Sequence, residues 1–305
     1  MLQKKTMFTN LLPQIQSGSV KALARVISLV ENDVDGYGQF MQDLPAGSTP
    51  VIGITGPPGA GKSTLVDALI TTLVAAGKKT GILCVDPSSP FNLGALLGDR
   101  IRMSSWYTDP NVFIRSLATR GSLGGLHPKI IEITDVMKVA GFDYIIVETV
   151  GVGQSEIEIA GLADCTVVVL VPEAGDEIQT MKAGLMEIAD LFVVNKADRP
   201  DADKFVKNLR QMLAPAFYRT QNEIAIVKTV ASEKTGMIDV ISNIRQHLAL
   251  QLSNDKKYWL LAEKAFHLIQ AKKMQQISKQ QLKSAIEQAK NFNLYKFVNT
   301  IVPGS

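Results

Sequence analysis

Short apolar runs alternate with amphipathic stretches through the middle of the chain, from about residue 49 to residue 230. Seven of these runs are rich in β-branched residues, and the alternation is typical of a parallel sheet wrapped by helices. The predicted strands are residues 51–54, 80–85, 112–116, 144–147, 166–171, 191–194 and 224–229. The pattern therefore predicts an α/β fold with a doubly wound, mostly parallel sheet.

Helical spacing of apolar residues marks both ends of the chain. Near the N-terminus, one helix face is predicted to carry Val20, Leu23, Ala24, Ile27 and Val30, before Gly36-Tyr37-Gly38 interrupts the pattern. Past residue 254 two further helical segments follow, one with Leu261, Ala265 and Leu268, the other with Leu282, Ala285, Ile286 and Ala289. We predict an N-terminal helical extension (1–48), a nucleotide-binding domain (49–253) and a C-terminal helical arm (254–305). We expect this arm either to pack on its own domain or to bind a second copy of the chain.

The junction between the first predicted strand and the next helix has the sequence of a phosphate-binding loop. Glycines in such a loop let backbone N–H groups converge on phosphate oxygens, and the following helix directs its positive end at the anion. Lys62 is predicted to neutralise the outer phosphates, and Ser63 is predicted to hold Mg²⁺. The loop indicates a P-loop NTPase, with nucleotide contacts from Gly56, Pro57, Pro58, Gly59, Ala60, Gly61, Lys62, Ser63 and Thr64.

A second motif, Asn195-Lys196-Ala197-Asp198, directly follows the strand predicted at residues 191–194. Open α/β sheets bind ligands at the carboxyl ends of their strands. A carboxylate here can accept hydrogen bonds from both N1 and N2 of guanine, which adenine cannot supply, so Asp198 predicts GTP rather than ATP. Asn195 is expected to tie neighbouring loops together, and the aliphatic stem of Lys196 to cover the base.

Three acidic residues stand at or beyond strand ends near the phosphate loop. Glu148 closes the apolar run 144–147 and is predicted to reach Mg²⁺ or its waters, with the Gly151 amide placed to sense the terminal phosphate. Asp86 and Asp99 are further candidates for the magnesium shell. Lys62, Asp86 and Glu148 are therefore the predicted catalytic residues. Because the strand ends in Glu instead of the familiar Asp, and no Gln follows the glycine, slow hydrolysis without a partner is expected.

Composition limits the other classes of function. Hydrophobic residues make up 46% and charged residues 20% of the 305 residues, as in globular proteins with a sizeable core. The net charge of +3 comes without a basic run, so no nucleic-acid partner is predicted. No leader opens the chain and no apolar stretch approaches the roughly 20 residues that span a bilayer, so a cytoplasmic location without a membrane partner is expected. Cys84 and Cys165 lie in apolar runs and are interpreted as buried thiols.

The order of these motifs resembles that of the MeaB/ArgK family of GTPases, metallochaperones attached to the cobalamin-dependent enzyme methylmalonyl-CoA mutase. The resemblance covers about residues 18–250 and rests on segments 56–63, 85–89, 97–103, 148–156 and 195–198. The run 148–156 is the most specific of these, since generic small GTPases do not carry it.

This resemblance implies a homodimer that hydrolyses GTP while gating adenosylcobalamin loading, and protection, of an acyl-CoA mutase of the methylmalonyl-CoA mutase type. In the family, the residues that match Asp86, Asp99 and Glu148 serve Mg²⁺ and hydrolysis. A mobile loop that matches residues 172–182 responds to the mutase, and Lys182 is its residue of interest. The chain itself is not expected to hold cobalamin tightly.

Two segments depart from the family pattern. His127-Pro128-Lys129 stand where the family usually continues with small and basic residues, so this switch region is expected to respond to a different partner. The base-contacting loop is usually Ser-Ala-Leu-like and here reads Val230-Ala231-Ser232, so Ala231 and Ser232 are assigned to the base.

Other functions are compatible with a phosphate loop. Family members have been labelled kinases or ATPases of lysine, arginine and ornithine transport, a label against which Asp198 argues, and an ATP-dependent small-molecule kinase would differ in nucleotide preference. A nickel-enzyme maturation GTPase needs soft or imidazole ligands. The chain has three histidines, His127, His247 and His267, and no C-x-x-C motif, so no metal other than Mg²⁺ is predicted. A regulatory binding module, whose partner surface matters more than its turnover, is a further alternative.

Overall fold

A computed structural model gives the fold in two compact units, Met1–Lys257 and Tyr258–Ser305. The structure describes residues 8–86, 103–119, 126–149, 155–174, 183–220, 224–251, 256–274, 277–289 and 292–301.

One seven-stranded parallel sheet forms the centre of the first unit, in the strand order β3-β2-β4-β1-β5-β6-β7. The strands are β1 Val51–Thr55, β2 Thr80–Asp86, β3 Val112–Ala118, β4 Tyr144–Glu148, β5 Cys165–Leu170, β6 Leu191–Val194 and β7 Ala225–Lys228. All seven predicted strands and the α/β fold class are confirmed. β1 lies between β4 and β5, where the strand order changes direction, so its carboxyl end is the switch point at which such sheets bind ligands.

Helices cover both faces of this sheet. In the first unit the described helices are α1 Leu11–Gln16, α2 Val20–Glu31, α3 Tyr37–Gln42, α4 Lys62–Ala75, α5 Ile130–Lys138, α6 Ser155–Leu162, α7 Ala183–Ile188, α8 Ala202–Thr220 and α9 Met237–Gln251. Three further helices, α10 Lys256–Met274, α11 Lys279–Gln288 and α12 Leu294–Ile301, follow along the chain. Alternate strand residues face opposite layers. Val51 packs with α2 and α5 in one core cluster, whereas its neighbour Ile52 packs with α4 and α9 in another.

The N-terminal extension contributes its apolar face to the core of the first unit. Leu23, Ile27 and Val30 of α2 are buried as predicted, and the Ser19 hydroxyl accepts a hydrogen bond from the Ala22 amide at the helix start. Val20 was wrongly assigned to the buried face, because it begins the helix and is 50% exposed. The helix also ends at Glu31, before the predicted break at Gly36-Tyr37-Gly38.

A buried lysine at the start of α5 links this N-terminal segment to the rest of the first unit. Lys129 Nζ lies 2.8 Å from Asp33 Oδ1 and 3.3 Å from Glu132 Oε1, and it donates a hydrogen bond to the Tyr37 hydroxyl at 2.7 Å. Burial opposes the charge on Lys129, but Asp33, Tyr37 and Glu132 outweigh burial and raise its pKa above the usual value. Burial raises the pKa of Glu132. The segment His127-Pro128-Lys129, where the sequence departs from the family pattern, therefore makes a contact within the chain, the ion pair of Lys129 with Asp33. His127 and Lys129 are both buried.

The second unit contains α11, α12 and nearly all of α10. Two helical segments were predicted here, but the structure has three, because the amphipathic segment α12 was not recognised. Leu261 and Leu268, predicted for a packed face, are 52% and 37% exposed in the single chain. Within the described ranges, no helix is both long and apolar enough to cross a bilayer.

Candidate nucleotide site

The predicted phosphate loop connects β1 to α4 at the switch point of the sheet. Gly56 has φ 138° and Gly61 has φ 86°, conformations that favour glycine. A Cβ atom at Gly56 would lie 2.1 Å from the Val169 carbonyl oxygen, and one at Gly61 would lie 2.5 Å from Asn195 Nδ2. The two glycines thus let the loop backbone approach β5 and the end of β6 closely.

Lys62 directs its charge back into the loop. The side chain begins α4 and is 7% exposed, and its Nζ donates to the carbonyl oxygens of Gly56 at 2.9 Å and Pro57 at 3.1 Å. The ammonium group therefore lies inside the curve of the loop, beside the positive end of the α4 dipole. This combination of a cation, loop amides and a helix N-terminus is suited to binding phosphate groups.

Oxygen atoms from three elements gather next to the start of α4. The Ser63 hydroxyl donates to Glu148 Oε1 at 2.7 Å, which joins α4 to the end of β4. Asp86 ends the neighbouring strand β2, and both carboxylates are buried, at 5% exposure for Asp86 and 4% for Glu148. A hydroxyl and two carboxylates are hard oxygen donors, which fit Mg²⁺. Asp99 and Gly151, also predicted for this site, lie outside the described residues.

Asn195 connects the phosphate loop to the loop that follows β7. Its Nδ2 donates to the Ala60 carbonyl at 3.0 Å, while its Oδ1 accepts from the Thr229 hydroxyl and the Ala231 amide, both at 3.1 Å. The side chain is 2% exposed, so these contacts are made away from water. Both polar ends of one buried amide thus bring together segments that are distant in sequence.

The other residues of the second motif lie closer to the surface. Lys196, at φ 56°, donates from Nζ to the Gly59 carbonyl at 2.8 Å, so its side chain lies against the phosphate loop. Asp198 is exposed beyond the end of β6. Ala231 is buried and Ser232 is exposed in the short turn Ala231–Glu233. The exposed carboxylate is accessible to a ligand on this side of the loop.

Thr149 makes two hydrogen bonds at the site that were not predicted from the sequence. Thr149, which follows Glu148, donates from its hydroxyl to the Thr55 hydroxyl at 3.0 Å, and its amide donates to the Ile54 carbonyl at 3.0 Å. These bonds hold the end of β4 against the end of β1. The position of Thr149 within the run 148–156 marked it as a residue of interest. The residue that it contacts on β1 could not be predicted, because this depends on the register between β1 and β4.

The structure brings together most of the residues predicted for nucleotide and magnesium. The phosphate loop, Ser63, Asp86, Glu148 and the Asn195 motif all lie at the carboxyl edge of the sheet. Thr64 is exposed on α4. Lys182, singled out in the predicted mobile loop, lies outside the described residues.

Comparison with known proteins identifies the family. Residues 23–290 match the family model described as methylmalonyl Co-A mutase-associated GTPase MeaB. A protein from Pyrococcus abyssi that is named as a GTPase is 47% identical over 246 residues, which are 79% of this chain and 76% of that protein. A fused isobutyryl-CoA mutase from Geobacillus kaustophilus is 33% identical over an alignment of 330 residues, covering 93% of this chain and 30% of that protein.

The fold agrees with this relationship. The crystal structure of a LAO/AO transport system kinase superposes with a TM-score of 0.71 at 25% sequence identity, covering 98% of this chain and 97% of that chain. Both the predicted P-loop NTPase fold and the predicted GTP hydrolase activity are confirmed. The chain is a GTPase and belongs to the MeaB family of methylmalonyl-CoA mutase-associated GTPases.

Proposed function

We propose that this GTPase gates the loading of adenosylcobalamin onto an acyl-CoA mutase and protects the loaded mutase. The observation that carries the proposal is the fused isobutyryl-CoA mutase, in which a region similar to 93% of this chain is part of the mutase polypeptide. A separate chain of the same family would have to reach its mutase by binding. The proposed partner is therefore a cobalamin-dependent acyl-CoA mutase.

The proposed nucleotide contacts follow from the geometry at the carboxyl edge of the sheet. The loop 56–61 and Lys62 bind the phosphates, while Asp198 recognises guanine and Ala231 and Ser232 border the base. Asn195 hydrogen-bonds to both the phosphate loop and Ala231, so the two ends of the nucleotide are recognised by connected backbone segments. This connection supports the coupling of phosphate loss to a change in the base-binding loop.

Magnesium is proposed to be held by Ser63, Asp86 and Glu148, directly or through water, with Asp99 completing the shell. The ion would neutralise charge that develops on the phosphate oxygens during hydrolysis. Gly151 is proposed to sense the terminal phosphate through its amide. Ser63 and Glu148, already in contact at 2.7 Å, would then have to separate or share the ion.

Glu148→Gln is expected to lower kcat for GTP by about 100-fold and to raise the Mg²⁺ concentration needed for half-maximal turnover. The substitution keeps the shape of the side chain but removes the negative charge that favours the cation. Phosphate release measured across a MgCl₂ series tests this. Asp143→Asn is the matched control, because Asp143 precedes the opposite end of β4 and pairs with Lys78 at 2.9 Å. A parental Mg²⁺ requirement in Glu148→Gln would contradict the magnesium assignment.

The mutase proposal is tested with the full chain and a purified isobutyryl-CoA or methylmalonyl-CoA mutase. We expect the chain to bind the mutase differently with GDP and with a non-hydrolysable GTP analogue, and we expect the mutase to increase GTP turnover. Size-exclusion chromatography and phosphate release measure the two effects. If neither mutase binds or changes turnover, the client belongs to another class. Mass spectrometry of proteins captured by the analogue-bound chain would then identify it.

A homodimer is proposed from the apolar residues of the second unit. Phe266 and Ile269 of α10 are 60% and 55% exposed, and Leu294 and Val298 of α12 are 54% and 49% exposed. Such residues are commonly buried by a partner. Light scattering on the full chain is expected to give the mass of two chains, and a monomer at micromolar concentration would contradict the dimer.

A further inference from the structure

A cluster of metal-ligating side chains lies at the opposite edge of the sheet from the nucleotide site. Cys165 is the first residue of β5, Asp190 immediately precedes β6, and His247 lies on α9. Their potential ligand atoms all lie within 4.8 Å of one another. Cys165 and Asp190 stand at the amino ends of their strands, whereas Ser63 and Asn195 lie beyond the carboxyl ends, so the cluster is separate from the predicted magnesium site.

The spacing of the cluster fits a tetrahedral ion. His247 Nε2 lies 3.5 Å from Asp190 Oδ1. Two ligand atoms about 2.0–2.1 Å from a tetrahedral Zn²⁺ ion are separated by roughly 3.3 Å, so these atoms need only a small adjustment. A thiolate binds slightly farther from the ion, at about 2.3 Å. Cys165 Sγ lies within 4.8 Å of the ligand atoms of Asp190 and His247.

Backbone contacts hold the carboxylate in place. Asp190 Oδ2 accepts a hydrogen bond from the Thr166 amide at 2.9 Å, and the Asp190 amide donates to the Thr166 carbonyl at 2.9 Å. The first contact occupies one carboxylate oxygen and leaves the other on the side of His247. Hydrogen bonds of this kind orient ligands in metal sites.

Burial gives the cluster an inner and an outer side. Cys165 is 0% exposed, whereas the side chains of Asp190 and His247 are 11% and 23% exposed. Ile244, one turn before His247 on α9, is 2% exposed and belongs to the same core cluster as Cys165. An ion could therefore enter past the imidazole, with the thiol behind it.

We propose that Cys165, Asp190 and His247 form a binding site for a divalent transition-metal ion, of which Zn²⁺ is the representative. A thiolate, an imidazole and a carboxylate favour such an ion over Mg²⁺ or Ca²⁺, which prefer all-oxygen ligands. Binding displaces the Cys165 proton to solvent and uses the neutral form of His247, so affinity falls as pH is lowered. Three protein ligands leave a fourth position for water or for a ligand from a partner.

This proposal differs from the prediction that the chain binds no metal other than Mg²⁺. That prediction relied on the lack of a local cysteine or histidine motif, whereas the fold brings these ligands together from three elements. The competing interpretation is a buried thiol beside a histidine–aspartate ion pair that binds no metal. The two interpretations differ in stoichiometric metal binding and in the formation of a metal–thiolate bond.

Titration of the metal-depleted full chain with Co²⁺ tests the site. GDP and excess Mg²⁺ are present throughout, so that the nucleotide site is already filled. We expect one Co²⁺ per chain, a thiolate-to-Co²⁺ charge-transfer band in the near ultraviolet, and displacement of Co²⁺ by Zn²⁺. Cys165→Ala is expected to abolish the band, and His247→Gln to weaken Co²⁺ binding by more than about 100-fold, beyond the usual effect of an outer-shell change.

Two control substitutions match the residues that are tested. Cys84→Ala removes a thiol that is equally buried, at 1% exposure, and His267→Gln removes an exposed histidine 3.8 Å from Glu263. Both controls are expected to keep the band and the affinity of the parent. GDP binding by Cys165→Ala and His247→Gln reports that these variants are folded. A parent without the charge-transfer band, or folded variants that bind Co²⁺ like the controls, would overturn the proposal.

Discussion

Lys62→Ala is expected to lower kcat/KM for GTP by at least about 1,000-fold, which corresponds to about 4 kcal/mol of lost transition-state stabilisation. The ammonium group lies inside the phosphate loop, 2.9 Å from the Gly56 carbonyl and 3.1 Å from that of Pro57. A bound triphosphate would replace these carbonyls with charged oxygens, and such charge-assisted contacts strengthen as charge develops. Phosphate release and nucleotide binding by calorimetry measure the loss.

Lys78→Ala is the matched control for this prediction. Lys78 lies just past the other end of α4, is 39% exposed and pairs with Asp143. Its removal deletes a charge of the same sign from the same segment, yet turnover is expected to stay within about twofold of the parent, as for a surface ion pair. If Lys62→Ala also stays within this range, the phosphate site has been placed wrongly.

Asp198→Asn is expected to weaken GTP binding by about 100-fold to 1,000-fold. One of the two hydrogen bonds from guanine to the carboxylate would be lost and the other would be made to a neutral oxygen, and bonds to charged groups contribute about 1.5–3 kcal/mol each, so we expect a total loss of about 3–4 kcal/mol. The new amide also directs N–H groups at the N–H groups of guanine. Because Asp198 is exposed in the single chain, the substitution is expected to change the thermal unfolding temperature of the nucleotide-free protein little.

Xanthosine triphosphate distinguishes base recognition from a general loss of the site. Xanthine carries a carbonyl group where guanine carries its 2-amino group, and the amide of Asp198→Asn can donate to that oxygen. The variant is therefore expected to regain turnover with xanthosine triphosphate, while the parent prefers GTP. Equal use of ATP and GTP by the parent, or an unchanged GTP affinity in the variant, would contradict the role of Asp198.

The strands were predictable because each depends on a short apolar run. The strand Leu191–Val194 was predicted at its observed bounds, whereas β5 begins one residue earlier than predicted, at Cys165. The ends of strands are set by pairing with neighbours, and Cys165 pairs with Ile52 of β1. The helices were less predictable, because Val20 fits the spacing of a buried face but lies in the first turn, where the core does not reach it.

The phosphate loop, the Asn195 motif, the parallel sheet and the family could all be recognised from the amino-acid sequence, because contiguous residues encode local backbone geometry. The cytoplasmic location and the roles of the site residues stay predictions. Three contacts became visible in the folded chain alone: Ser63 with Glu148, Lys129 with the N-terminal segment, and the cluster of Cys165, Asp190 and His247. These contacts depend on strand register and helix packing. Segments far apart in the chain set their distances, so no local pattern of residues could specify them.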